Sequence, residues 1–177
     1  AQTSNSTCMA CSPGTFSSVA GSSTCQTCAA GSYSSVGATM CSQCPIGTYS
    51  GVAGASSVAT CVPCPQGMFS SSSGSASCAP CPLGTYHNDT GSTSASNCKP
   101  CPRGQYGIFG VCYACPAGRY YNEHSASAVG TGIFNLVTIM ELYCISCPIG
   151  YFSTIVGSIN SSSCTPCPLG FYSNVTA

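Results

Sequence analysis

All eighteen cysteines of this chain fall into nine Cys-x-x-Cys pairs. A glycine stands three residues after the second cysteine of every pair: Gly14, Gly31, Gly47, Gly67, Gly84, Gly104, Gly118, Gly150 and Gly170. Two residues further on is always an aromatic: Phe16, Tyr33, Tyr49, Phe69, Tyr86, Tyr106, Tyr120, Phe152 and Tyr172. A phrase that recurs at fixed spacing means one small supersecondary unit copied in tandem, and such a unit relies on its neighbours for burial. Read from pair to pair, residues 1–177 form a single array with approximate units 8–24, 25–40, 41–60, 61–77, 78–97, 98–111, 112–143, 144–163 and 164–177.

Eighteen cysteines in 177 residues is the composition of a disulfide scaffold rather than of one large apolar core. Only 3% of residues are charged, three Lys/Arg against three Asp/Glu. There is no basic patch to hold nucleic acid and no acidic run to gather calcium. A chain with so little charge tends to associate unless something hydrophilic coats it. The longest apolar stretch, Ile133–Tyr143, is interrupted by Asn135, Thr138 and Glu141 and is too short to span a membrane. No signal-peptide pattern is found, and the start at Ala1-Gln2-Thr3 fits a processed N-terminus or a cut within a longer chain.

Paired cysteines of this kind either hold zinc, two pairs to a site, or form disulfides in an oxidising compartment. Nine pairs would leave one over in a zinc scheme. Lys99, Arg103 and Arg119 are too few cations to offset four thiolates per metal. Four Asn-x-Ser/Thr acceptors, at Asn5, Asn88, Asn160 and Asn174, point the same way, since such sequons mark the surface of secreted proteins. Disulfides are therefore expected, and covalent glycans with them. Serine-rich loops such as 69–77 add candidate O-glycosylation sites.

Within a unit, the proline and glycine before the aromatic predict a turn in which glycine takes a positive φ. Thr15-Phe16-Ser17-Ser18-Val19 reads as a short extended stretch. A second glycine is expected to reverse the chain in six units, at Gly21, Gly37, Gly54, Gly74, Gly91 and Gly157. The fold class expected is small and disulfide-rich: a tandem array of short β-hairpin and loop repeats forming an elongated rod with little regular secondary structure. A lone two-stranded hairpin is not stable in water, so each aromatic is expected to pack on a disulfide and on the next unit.

The phrase Cys44-Pro-Ile-Gly47-Thr-Tyr49-Ser-Gly, which returns as Cys81-Pro-Leu-Gly84-Thr-Tyr86, resembles the ephrin-receptor-like cysteine-rich repeat. It is also similar to the one-disulfide half-module of tumour necrosis factor receptor ectodomains. The resemblance covers nearly the whole chain and marks extracellular repeats without specifying a function. In that half-module the cysteine before Pro-x-Gly-x-Tyr pairs with the next cysteine along. The resemblance thus implies Cys11–Cys25, Cys28–Cys41, Cys44–Cys61, Cys64–Cys78, Cys81–Cys98, Cys101–Cys112, Cys115–Cys144 and Cys147–Cys164. A rival scheme, first with first and second with second across neighbouring units, leaves one pair over and stays open at this point. The sequential scheme leaves Cys8 and Cys167. Either Cys167 of one molecule bonds Cys8 of the next, making a head-to-tail homopolymer, or both bond further repeats of a longer chain.

Two units depart from the pattern. The unit around Cys101 and Cys112 is short, and the one opening at Cys115 carries an apolar insert at 132–143. Ile133, Leu136, Val137 and Met140 recur at helical spacing, while Phe134, Leu136, Met140 and Leu142 also fit one face of a strand. The insert is either a plug packed on its own repeat or an assembly contact through Ile133, Phe134, Leu136, Val137, Ile139, Met140 and Leu142. His87 and His124 lie in polar, turn-like surroundings, and no catalytic, metal or cofactor motif appears. The expected role is structural: a protomer or segment of a glycosylated extracellular fibre, surface coat or appendage. The alternative is a receptor or adhesion ectodomain that binds a protein ligand, although loops of Ser, Gly and Ala offer little for recognition.

Overall fold

The computed structural model describes residues 8–122 and 136–174, with backbone alone at 136–138. Among these residues there are eight disulfides, eight two-stranded antiparallel hairpins and one α-helix. This is a small disulfide-rich fold with little regular secondary structure.

Each repeat opens with a four-residue turn. In the first, Thr15 N donates to Ser12 O at 3.0 Å, and Gly14, third of the four, has φ +83°. That is the position at which a type II turn demands a positive φ, which explains the invariant spacing of glycine after cysteine. The same bond closes the turn in the other eight repeats, from Ser32 to Phe171. The chain leaves the turn as a two-residue strand ending on the aromatic: β1 is Thr15–Phe16. Its partner, β2 (Gln26–Thr27), is the spacer between the next two cysteines, with Thr15 opposite Thr27 and Phe16 opposite Gln26. The second strand therefore lies in the spacer beyond the cysteine, not in the stretch before it. Pairing in the spacer explains why it is always two residues long. Cys28 N extends the ladder by donating to Gly14 O at 2.9 Å.

The disulfides join neighbours in the sequential order: Cys11–Cys25, Cys28–Cys41, Cys44–Cys61, Cys64–Cys78, Cys81–Cys98, Cys101–Cys112, Cys115–Cys144 and Cys147–Cys164. Seven of the second cysteines, among them Cys28, Cys44, Cys64, Cys115 and Cys147, are buried, so the bridges themselves form much of the core. The repeat aromatics from Phe16 to Tyr86 are half-buried.

The chain divides into two compact units: Ala1–Pro80 with Asn88–Asn97, and Cys81–His87 with Cys98–Ala177. The division falls inside the fifth repeat, because its loop belongs with the preceding repeats while its hairpin belongs with the following ones. In the first unit main-chain bonds run from each repeat to the next. Gly14 N donates to Ser34 O, Gly31 N to Ser50 O, and Gly47 N to Ser70 O, all within 2.7–2.9 Å. In return Gly37, Gly54, Gly74 and Gly91 donate to Cys11, Cys28, Cys44 and Cys64 carbonyls at 2.7–2.8 Å. The second-glycine loops thus reverse the chain as expected, with φ between +68° and +76°, and they also dock on the repeat before.

A third layer of contact skips one repeat. A Cβ placed on Gly14 would lie 2.1 Å from Gly54 O, one on Gly31 2.0 Å from Gly74 O, and one on Gly47 2.5 Å from Gly91 O. Main chain meets main chain there, and only glycine allows it.

The second unit uses the same devices, with Gly157 N donating to Cys115 O and Gly104 pressed on Gly157 O. Its short repeat replaces the serine-rich excursion with a tight hairpin, β3 (Gln105–Ile108) on β4 (Val111–Ala114). Phe109 and Gly110 at its tip have φ +50° and +76°, as a two-residue hairpin loop of this twist requires. The insert provides α1 (Leu136–Tyr143). Tyr106, Ile108, Cys115, Ile139, Tyr143 and Cys144 form a buried cluster, flanked by Leu83, Tyr121, Met140 and Leu142.

Candidate functional site: repeat faces and unpaired cysteines

The chemistry-bearing side chains are few. Among the described residues no group of three or more His, Cys, Asp or Glu could hold a metal ion, and no helix is long and apolar enough to cross a membrane. No buried side-chain polar atom among them lacks a partner. His124 lies outside the described residues. Arg119 is committed to structure, its Nη1 donating to Cys144 O at 3.1 Å. Tyr143 is pushed above the ordinary tyrosine range, first by burial and then by its neighbour Tyr121, whose ring lies 6.3 Å away.

Cys8 and Cys167 are the two cysteines without a disulfide; Cys8 is exposed and Cys167 half-buried. Within the array, the second cysteine of each pair bonds the first cysteine of the next. Cys167 holds the first of these positions and Cys8 the second.

The candidate assembly residues of the insert separate. Ile139 is 2% exposed in the cluster and packs inside its own unit; Met140 and Leu142 lean on the same cluster. Ile139 packs against Tyr106 and Ile108 of the short repeat, as the plug reading of the insert describes. Ile133 and Phe134, and the side chains of Leu136 and Val137, lie outside the described residues.

The sequon asparagines Asn88, Asn160 and Asn174 are exposed, and Asn5 lies outside the described residues. Asn160 heads a short turn of helix at Ser161–Ser163, its Oδ1 accepting from Ser162 N at 3.1 Å.

The sequence predicts that each aromatic packs on the next unit, but not which residue of that unit receives it. The residue after the second glycine pairs with the aromatic of the repeat before, in the parallel bridges Phe16–Ala38, Tyr33–Ala55, Phe69–Ser92 and Tyr120–Ser158. Ala55, Ser92 and Ser158 are accordingly buried, at 2–5% exposure. In the first repeat the corresponding residue is Ser22, and it is exposed. In the ninth repeat the aromatic is Tyr172, 85% exposed.

The family of tyrosine-protein kinase ephrin type A/B receptor-like repeats matches residues 53–98 and 140–177. No curated protein matches the chain. The likeness to tumour necrosis factor receptor half-modules rests on the motif alone. The two matched segments have the character of an extracellular receptor-type module. Over residues 53–98 and 140–177 the chain is similar to ephrin-receptor-like cysteine-rich repeats, and the hairpins outside these segments repeat the same geometry.

Proposed function

We propose that the chain is a structural protomer or segment of a glycosylated extracellular fibre, surface coat or appendage. The observation that carries this reading is the way the repeats are joined. Main-chain bonds and glycine contacts do the joining, so it depends little on the loop side chains and extends to any number of copies. The loops left outside are short, polar and nearly free of charge. Glycans on exposed Asn88, Asn160 and Asn174 would supply the hydrated surface that charge does not. The partner proposed is the chain itself, head to tail through Cys167 and Cys8, or neighbouring repeats of a longer chain.

The test is electron microscopy of native, unreduced material, repeated after reduction. Filaments with a sugar coat that shorten on reduction support the reading; isolated particles under both conditions overturn it. The family match gives the second reading its support, since the family is named for receptors. A pull-down with glycan-stripped protein that captures a saturable protein ligand of nanomolar affinity would favour a receptor or adhesion ectodomain.

A further inference from the structure

We infer that the second residue after the repeat aromatic is the sugar-bearing position of the array, so that Ser18, Ser35, Ser71 and Thr154 carry O-linked glycans. The inference rests on the reading of a glycosylated surface and specifies where the sugar is attached.

The two residues that follow each aromatic have different roles. The first is most often serine, and its hydroxyl is engaged by the main chain. Ser34 Oγ donates to Thr15 O and Ser70 Oγ to Ser72 O, both at 3.0 Å, while Ser153 Oγ accepts from Ile155 N at 3.2 Å. Ser34, Ser50, Ser70 and Ser153 are buried, at 2–7% exposure. Packed in this way, those hydroxyls are closed to a transferase.

The second residue faces water. Ser18, Ser35, Ser71 and Thr154 are exposed, and none of the four hydroxyls bonds any described residue. Ser35, Ser71 and Thr154 have a repeat before and a repeat after them, so their exposure belongs to the array and not to its ends. In the fifth and ninth repeats the same position holds Asn88 and Asn174, the asparagines of two N-linked sequons, and both are exposed. A sequon asparagine and a free hydroxyl share one property, an accessible acceptor atom, and attachment of a bulky sugar requires it. The other three repeats lack it. Gly51 has no side chain, Ile108 is buried in the apolar cluster, and Asn122 is half-buried, its N donating to Tyr143 O at 2.8 Å.

Two further observations call for a hydrophilic cover at this position. The residue after Ser18, Ser35 and Thr154 is Val19, Val36 and Ile155, exposed by 68%, 64% and 55%. Apolar side chains repeated on a surface invite association unless something covers them, and the C–H face of a sugar one residue away does so. In addition, residues 1–80 contain no Asp, Glu, Lys or Arg, and Asn5 is their one N-linked sequon. Sugar on Ser18, Ser35 and Ser71 supplies hydration there that charge does not. The donor is a sugar activated at C1 through phosphate. The side-chain oxygen attacks C1, the bond from C1 to the phosphate oxygen breaks, the hydroxyl proton passes to a base of the transferase, and the phosphate-bearing carrier leaves.

The test is mass spectrometry of glycopeptides from the full chain in its native glycosylated form, fragmented by electron transfer so that each sugar stays on its residue. The expected result is sugar on Ser18, Ser35, Ser71 and Thr154, with Ser17, Ser34, Ser70 and Ser153 bare. Gly51→Ser, produced in the same cells, is expected to gain sugar at residue 51. Gly51 is outside the positive-φ glycines, and a Cβ there meets only Ala76 O at 3.8 Å, so serine fits without strain. Sugar on the buried serines as often as on the exposed ones, or on other hydroxyls with these four bare, overturns the position while the glycosylated-surface reading stands. A bare Gly51→Ser beside an occupied Ser35 overturns it equally. A chain without sugar at any residue overturns both.

Discussion

Replacing Gly14 by alanine isolates the contact between a repeat and the next but one. Two costs arise there. The first is conformational: Gly14 sits at φ +83°, where any L side chain loses about 1–2 kcal/mol. The second is steric: the new Cβ would lie 2.1 Å from Gly54 O and 2.6 Å from Gly54 C, both main-chain atoms that cannot swing aside. Forcing such a contact apart costs about 1–3 kcal/mol more, by analogy with overpacked cores. The total is about 2–5 kcal/mol. Gly21→Ala is the control, since its φ of +75° imposes the first cost while the space around it is open. Both are best measured in a Cys8→Ser, Cys167→Ser background, with the eight disulfides intact, by urea unfolding. Amide exchange at Gly54, whose N donates to Cys28 O at 2.8 Å, gives a local reading. The expected result is a larger loss for Gly14→Ala, with Gly54 exchange faster by roughly 5–150-fold from the steric part alone. Equal losses in the two variants would refute the claim that main-chain packing across two repeats holds the first unit together.

Three further outcomes follow from the second unit. Ile139→Ala should cost about 2–5 kcal/mol as a cavity in the cluster with Tyr106 and Ile108, while amide exchange in hairpins up to residue 80 stays as in the wild type. Tyr143 holds its proton more tightly when folded than when unfolded, so its contribution is complete below the ordinary tyrosine pKa near 10 and is lost as pH rises through the higher folded value. Alkaline unfolding of Tyr143→Phe should therefore show a weaker dependence on pH above about 10. Phe109→Asn should stabilise the short hairpin by about 1 kcal/mol in thermal unfolding, because asparagine tolerates the positive φ of an exposed loop tip better than phenylalanine does.

What sequence made legible here was whatever a single repeat determines by itself. The turn glycine, the second glycine and the aromatic follow from local chain geometry, and each lies where its spacing implies. The family resemblance implied the disulfide order that the hairpins display. What stayed hidden depends on the rise from one repeat to the next. The close approach of Gly14 to Gly54 joins residues in different repeats and leaves no trace in either one's neighbourhood. The insert read equally well as helix or strand because α1 is only eight residues long, barely two turns. Its packing partners, Tyr106 and Ile108, come from the repeat before, where the tight turn at Phe109 and Gly110 frees a whole face.

The span of the disulfides has a consequence for how the chain is made. Each bridge closes over a separation of 11 to 29 residues, and none encloses another. A repeat can thus oxidise as soon as its own stretch and the next cysteine have emerged from the ribosome. It then presents a finished surface on which the following repeat docks, so order spreads from the first residues made toward the last. Short closures of this kind are entropically cheap and fast. They also keep early cysteines from meeting late ones, which limits mispairing in a chain where any of eighteen thiols could otherwise find a wrong partner.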